Sequence, residues 1–208
     1  MRVQIPPSAP ETNTVGRNSE AYCAALSWRS SMPNYRRALV PGGCWFFTVN
    51  LLERRSSLLT NEIDALRDAT QWTRHRYPFR IDAFVVLPDH LHAVWALPPD
   101  DADFSIRWRL IESRFARSLP KRERLSPVRQ ARGERGIWQR RFWEHLIRDE
   151  ADFARHVEYC HINPVKHALV RRVRYWPYSS FHRDVRAGIF SRRLGRRNRS
   201  VGQLWRAD

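Results

Sequence analysis

Cysteine, long apolar runs and lysine are all in short supply in this sequence. Cysteine occurs three times in 208 residues, at Cys23, Cys44 and Cys160. An odd count without paired spacing indicates neither a disulfide framework nor a cysteine zinc site, and points to a reducing compartment. No apolar stretch approaches the roughly 20 residues needed to cross a bilayer, and the N-terminal MRVQIPPSAPETN has no apolar segment of signal-peptide type, so membrane spanning and ordinary secretion are not expected. Lysine is scarce, at Lys121 and Lys166, so the 37 basic residues are overwhelmingly arginine. Arginine pairs bidentately with phosphate and stacks on bases, and this bias favours nucleic acid over a merely solvated basic surface.

What is present is ample material for a core: 42% hydrophobic residues, with 9 Trp, 10 Phe and 6 Tyr. The net charge of +16 is unevenly spread. Residues 120 to 141 carry eight basic against two acidic residues, and residues 166 to 199 carry eleven against one, whereas residues 142 to 165 are net acidic. Concentration into two patches suggests a polyanionic partner.

Residues 1 to 31 are rich in Pro, Ser, Ala and Asn, and aromatic patterning begins at Met32-Pro33-Asn34-Tyr35. This break sets residues 1 to 33 apart as a disordered N-terminal arm and makes Met32 a candidate start site. Residues 34 to 190 form the expected domain, and 191 to 208 a basic tail. Within the domain, Cys44 to Leu51 reads as a buried strand, residues 61 to 75 as a helix, and Ile81 to Leu87 and His90 to Leu97 as a hairpin turning at Pro88-Asp89. A second helix is expected from Ser105 to Leu119, with Ile106, Leu110, Ile111 and Phe115 inward. The basic segment 120 to 136 has no apolar period and reads as a loop. Phe142 to Ile147 suits a fourth strand, and Asp149 to Asn163 a third helix with Asp149 as N-cap and Pro164 as its end. Strand, helix, hairpin, helix, strand, helix is an α+β order, an antiparallel sheet covered by helices.

Alternation along a strand puts His90 and His92 on one face and Leu91, Ala93, Trp95 and Leu97 on the other. Two imidazoles so spaced can share a divalent metal, although a pair of surface histidines would look the same. On the third helix, Phe153, Val157 and Cys160 define a buried stripe, while His156, Tyr159 and Asn163 share another side. A metal, a tyrosine and a basic surface together supply the parts of phosphoryl transfer: electrophile activation, nucleophile and phosphate clamp. Arg140 and Arg141, interleaved with Trp138, Phe142 and Trp143, suit a single strand held by phosphate contacts and stacking, unless those aromatics are core residues. Lys166 and the runs Arg192-Arg193 and Arg196-Arg197 are further DNA-binding candidates.

The segments NYRR (34 to 37), GGCWFFTVNL (42 to 51), FVVLPDHLHAVW (84 to 95), IWQRRFWEHLIRD (137 to 149), HVEYCHINPVKHALV (156 to 170) and WPYSSFHRDV (176 to 185) occur in this order. The chain resembles the REP-associated tyrosine transposases, relatives of the single-tyrosine insertion-sequence transposases in the His-hydrophobic-His (HUH) nuclease superfamily. The resemblance covers residues 34 to 190 and departs from the family in the arm before Met32 and in the length of the basic loop. It implies a ferredoxin-like antiparallel sheet flanked by helices, with His90, His92 and Asn163 as ligands of a divalent ion, Mg²⁺ or Mn²⁺, and Tyr159 as nucleophile. It further implies single-strand DNA cleavage and strand transfer through a 5′-phosphotyrosine, REP-type hairpin DNA as partner, a monomer or homodimer, and a place in the bacterial cytoplasm at the nucleoid. Two rivals stay open at this point. One is a metal-dependent hydrolytic nuclease in which Tyr159 is structural; the other is a non-catalytic nucleic-acid-binding module with an incidental histidine pair.

Overall fold

Cys44–Asn50 (β1) turns Trp45, Phe47 and Val49 to one face of a sheet and Phe46, Thr48 and Asn50 to the other. Both faces are covered, which is why the strand reads as an almost unbroken aromatic and β-branched run. The computed structural model describes residues 39 to 189 except Arg124. The expected arm 1–33, the family-like NYRR segment and the tail with Arg192, Arg193, Arg196 and Arg197 lie outside the described residues.

After β1 come Leu58–Asn61 (α1), Ile63–Arg76 (α2), the hairpin Arg80–Val86 (β2) and His90–Ala96 (β3), and Phe104–Ser118 (α3). Pro127–Ala131 (α4), Trp143–Leu146 (β4), Glu150–Lys166 (α5), a 3₁₀ turn at Val173–Tyr175 and Phe181–Arg186 (α6) follow. The sheet order is β2-β3-β1-β4 and every neighbouring pair is antiparallel. This is the split β-α-β arrangement of the ferredoxin-like fold, in agreement with the sequence reading. On one face Trp45, Phe47, Leu91, Ala93 and Trp95 pack with Leu66 and Ala69 of α2 and with Phe104, Trp108, Ile111 and Phe115 of α3. On the other, Phe46, Val85 and Val94 pack with Val157 and Cys160 of α5 and with Phe181. The outer edge of β2 is covered by the chain after the 3₁₀ turn: Val86 N–H donates to the Tyr178 carbonyl (2.9 Å) and Ser180 N–H to that of Phe84 (2.8 Å).

Three expectations are corrected. In α3, Ile106 and Leu110 are only half-buried, while Arg107 and Trp108 go fully inward. A buried guanidinium is tolerated because it donates to the carbonyls of Asp103 (2.8 Å) and Pro78 (2.7 Å) and to Asp101 Oδ2 (2.6 Å). The segment 120 to 136 is not a structureless loop. It holds α4, with Ser126 as N-cap and Pro127 in the first turn. Arg135 ties it to the end of α3 by donating to the carbonyls of Ala116, Leu119 and Pro120. Finally, α5 does not stop at Pro164 but runs through it to Lys166. It closes with Leu169 N–H on the Pro164 carbonyl (2.9 Å) and Ala168 N–H on that of Val165 (3.0 Å), a Schellman cap with Ala168 at φ 55°. The proline's missing N–H leaves one helical bond unmade, and this capped turn, with Pro164 itself buried, holds the helix beyond it. Among the described residues no helix is long and apolar enough to cross a membrane.

Candidate active site

The strand pairing places Thr48 opposite His92 and Asn50 opposite His90, and sets Trp143 opposite Thr48 on its other side. A row Trp143, Thr48, His92 therefore crosses the sheet on the face that meets α5. His90 and His92 are 4% and 3% exposed, with ring centroids 5.0 Å apart. Each ring is anchored through Nδ1. His90 Nδ1 lies 2.6 Å from Asp89 Oδ1, and His92 Nδ1 lies 2.9 Å from Thr48 Oγ1. Asp89 is held in turn by Arg54, whose Nε is 3.1 Å from Oδ2. Burial alone would raise the Asp89 pKa, but the His90 hydrogen bond and the charges of His90 and Arg54 outweigh it and hold the group below the usual carboxylate range. Fixing Nδ1 sets the orientation of each imidazole and leaves Nε2 as the remaining ring nitrogen, as a supporting carboxylate or hydroxyl does for a metal-binding histidine.

From α5, Tyr159 packs edge-on to His92 with ring centroids 5.1 Å apart. Lys166, two turns later, places Nζ 4.5 Å from the centre of the Tyr159 ring. His167, the C-cap of the helix, has its ring 5.0 Å from that of His90. Asn163 lies four residues after Tyr159 and four before His167, so the helical repeat sets it between the residue that touches His92 and the one that touches His90. Asn163 is fully buried, and neither Oδ1 nor Nδ2 has a protein partner; His92 Nε2 is buried and unpartnered as well. Buried polar atoms without a protein partner are costly, and an ion or water between these two residues would satisfy them. Burial, followed by the charges of His90, His167 and Lys166, lowers the His92 pKa well below its ordinary value, so the imidazole is neutral and keeps a lone pair for a cation. Two imidazole nitrogens and an amide oxygen form a donor set that fits a divalent ion, and the unpartnered atoms of His92 and Asn163 support this fit.

The DNA-binding candidates separate. Trp138 is 9% exposed, its Nε1–H donates to the Glu112 carbonyl (3.2 Å), and its ring packs on Phe115, so it is a core residue and not a stacking platform. Phe142 joins the same core. Trp143, by contrast, is 52% exposed beside the active-site row, and Arg141 is exposed close by. Arg140 is exposed but ion-paired to Glu134 at 3.1 Å. Lys166, read from the sequence as a DNA contact, lies against the tyrosine ring. His156 shares the helix side of Tyr159 but turns away from the histidine pair, with Nδ1 2.9 Å from the Asp152 carbonyl oxygen. The sequence reading passed over Thr48, Asp89 and His167. Asp89 beside His90 and His167 two turns after Tyr159 were visible signals; Thr48 needed the strand register.

No family model matches this chain. It is 48% identical over 159 residues to the REP-associated tyrosine transposase of Escherichia coli K12, covering 76% of this chain and 88% of that protein. A relative from Haemophilus influenzae with the same family designation is 49% identical over 160 residues, covering 76% and 91%. The solved structure of a REP-associated tyrosine transposase bound to a REP hairpin superposes with a TM-score of 0.66 at 48% identity, covering 76% of this chain and 88% of that one. With the antiparallel four-stranded sheet and the clustered histidines and tyrosine in place, this similarity over most of both chains makes the protein an enzyme of the transposase and nuclease type that belongs to the REP-associated tyrosine transposases.

Proposed function

We propose that the chain cleaves and rejoins single-stranded DNA at the foot of REP-type hairpins, with Tyr159 as the nucleophile. The observation that carries this reading is the phenol packed against His92, beside two unpartnered ligand groups and under a lysine ammonium. A free phenol has a pKa near ~10 and attacks poorly at neutral pH. Lys166, close over the ring, favours the phenolate and so activates the oxygen. Mg²⁺ or Mn²⁺ held by His90, His92 and Asn163 would supply charge neutralisation at the scissile phosphate.

Tyr159 Oη bonds to phosphorus, and the bond from phosphorus to the 3′ oxygen of the preceding nucleotide breaks. The phenolic proton passes to solvent, and the departing oxygen takes up a proton to become a 3′-hydroxyl. The other product is a 5′-phosphotyrosine. One phosphodiester has replaced another, so the reverse step can join a different strand without an external energy source. Trp143 and Arg141 offer stacking and phosphate contact to the strand next to the active site, with Arg140 available if it leaves Glu134. The arginines of the tail add a sequence-independent phosphate grip.

The test uses hairpin DNA with a single-stranded foot, labelled at either the 5′ or the 3′ end, incubated with the protein and Mn²⁺ and run on a denaturing protein gel. The 3′-labelled fragment should stay on the protein and the 5′-labelled one should be released. Cleavage with neither label on the protein would mean hydrolysis by water; absence of cleavage would leave a binding module.

A further inference from the structure

β4 and the first turns of α5 bring together a second group of metal-binding side chains, apart from the histidine pair. We propose that His145, Asp152 and His156 form a second metal site, which takes a zinc-type transition-metal dication and clamps α5 to β4 upstream of Tyr159.

The donor atoms of the three residues lie within 4.8 Å of one another, near enough to share one ion. His145 Nε2 is 2.8 Å from Asp152 Oδ2, and His156 Nδ1 is 3.2 Å from Asp152 Oδ1. A tetrahedral ion at roughly 2.0–2.2 Å from its ligands spaces them about 3.3–3.5 Å apart, so small side-chain adjustments suffice once His156 Nδ1 gives up its 2.9 Å contact with the Asp152 carbonyl. The two imidazoles come from different elements yet stack at 4.7 Å and 23°, both turned to one carboxylate. Trp143 lies nearly parallel to His145 at 5° and backs that ring.

The carboxylate itself is built for charge. Burial alone would raise the Asp152 pKa, but the His145 hydrogen bond, the Arg148 backbone N–H and the charges of His145 and His156 bring it to about 2. Its competing contacts are the Arg148 N–H at 3.1 Å and Arg155 Nη2 at 3.2 Å, the latter on a side chain 67% exposed and able to swing clear. Both imidazoles retain some solvent access, which leaves the fourth position for water. Two nitrogens with one carboxylate favour zinc, cobalt or nickel over magnesium. The connection to chemistry runs through Phe46, whose ring touches His156 at 4.7 Å, Tyr159 at 5.8 Å and His92 at 5.5 Å. An ion here fixes the helix one turn before the nucleophile and the wedge against which the nucleophile rests.

Untagged, chelator-treated protein carrying His90→Ala and His92→Ala, which lacks the β3 pair, is titrated with Co²⁺ and followed by visible absorption and by calorimetry. The proposal predicts one equivalent bound at micromolar or tighter affinity with a tetrahedral cobalt spectrum, and a rise in Tm on adding Zn²⁺. Adding His145→Gln or His156→Gln, each of which keeps an amide donor for Asp152, should weaken binding at least tenfold while circular dichroism stays native. His75→Gln, at an exposed histidine on α2, should change nothing. No cobalt spectrum in the His90→Ala/His92→Ala protein, or one that survives both glutamine variants, overturns the proposal. Because the β3 ligands are absent throughout, failure here leaves the cleavage reading intact, and failure of cleavage leaves this site intact.

Discussion

At the scale of single residues, each group around Tyr159 has a separable task. Thr48 and Asp89 hold the imidazoles, His92 and Asn163 offer unpartnered atoms, and Lys166 bears on the phenol. His92→Ala should lower metal-dependent cleavage at least about 100-fold with DNA affinity within a few-fold of the original. Thr48→Val, which removes only the Nδ1 partner, should weaken metal affinity by about 10-fold to 100-fold, read from the Mn²⁺ dependence of the rate. Lys166→Met should slow cleavage by about 10-fold at neutral pH and steepen its rise toward alkaline pH, since the phenol loses the cation that favours its ionised form. A Lys166→Met protein that loses DNA binding but keeps the original pH profile would return this residue to the role of phosphate contact. The shared face of His90 and His92 and the displacement of Tyr159 from the buried stripe were legible because strand alternation and helical repeat set side-chain direction locally. The place of Thr48 was not, because its position beside His92 depends on which strands are neighbours, and Trp138 stayed open between stacking and core because a Trp two residues before an arginine pair looks alike on a surface and at a core edge.

At the scale of elements, α5 carries the proposed nucleophile, the third candidate ligand and the lysine, so its capped end matters to the candidate active site. Ala168 adopts the left-handed region there at a cost of roughly 1–2 kcal/mol. Ala168→Gly relieves that strain but adds roughly 0.4–1 kcal/mol of unfolded-chain entropy. The net expectation is a gain of about 0.5–1 kcal/mol in urea unfolding, with Schellman geometry kept. At the start of α3 the Arg107 hydrogen bond, the largest influence, lowers the Asp101 pKa. Since the folded value lies below the unfolded one near 3.8, the contribution is complete above about pH 4 and is lost as the pH falls further. Asp101→Asn should therefore cost about 1–2 kcal/mol at pH 7, the low end for a charged hydrogen bond because Asp101 is one-third exposed, and less as the pH drops below 4. A stability difference that is unchanged from pH 7 to pH 3 would contradict this. Pro164 and Arg107 show why element readings failed locally: a proline is tolerated where tertiary packing and a cap hold the helix, and an arginine goes inward where turn carbonyls await it.

At the scale of the whole molecule, the order of strands and helices was legible from period and turn residues, and it sufficed for the α+β class. The sheet order β2-β3-β1-β4 is what turns that list of elements into a site, by running β3 beside β1 under α5. The charge pattern follows the same division. The net acidic stretch from 142 to 165 contains the Asp152 cluster and the N-terminal turns of α5, and arginine-rich segments flank it on either side in sequence. Covalent joining of DNA to Tyr159 is what separates this mechanism from its rivals, and peptide mapping reads it out. After reaction with hairpin DNA and Mn²⁺, nuclease trimming and proteolysis, mass spectrometry should find the residual 5′-phosphonucleotide on the peptide containing Tyr159, and Tyr159→Phe should give neither adduct nor cleavage while still binding DNA. An adduct on another residue, or cleavage at the original rate by the Tyr159→Phe protein, would contradict the account.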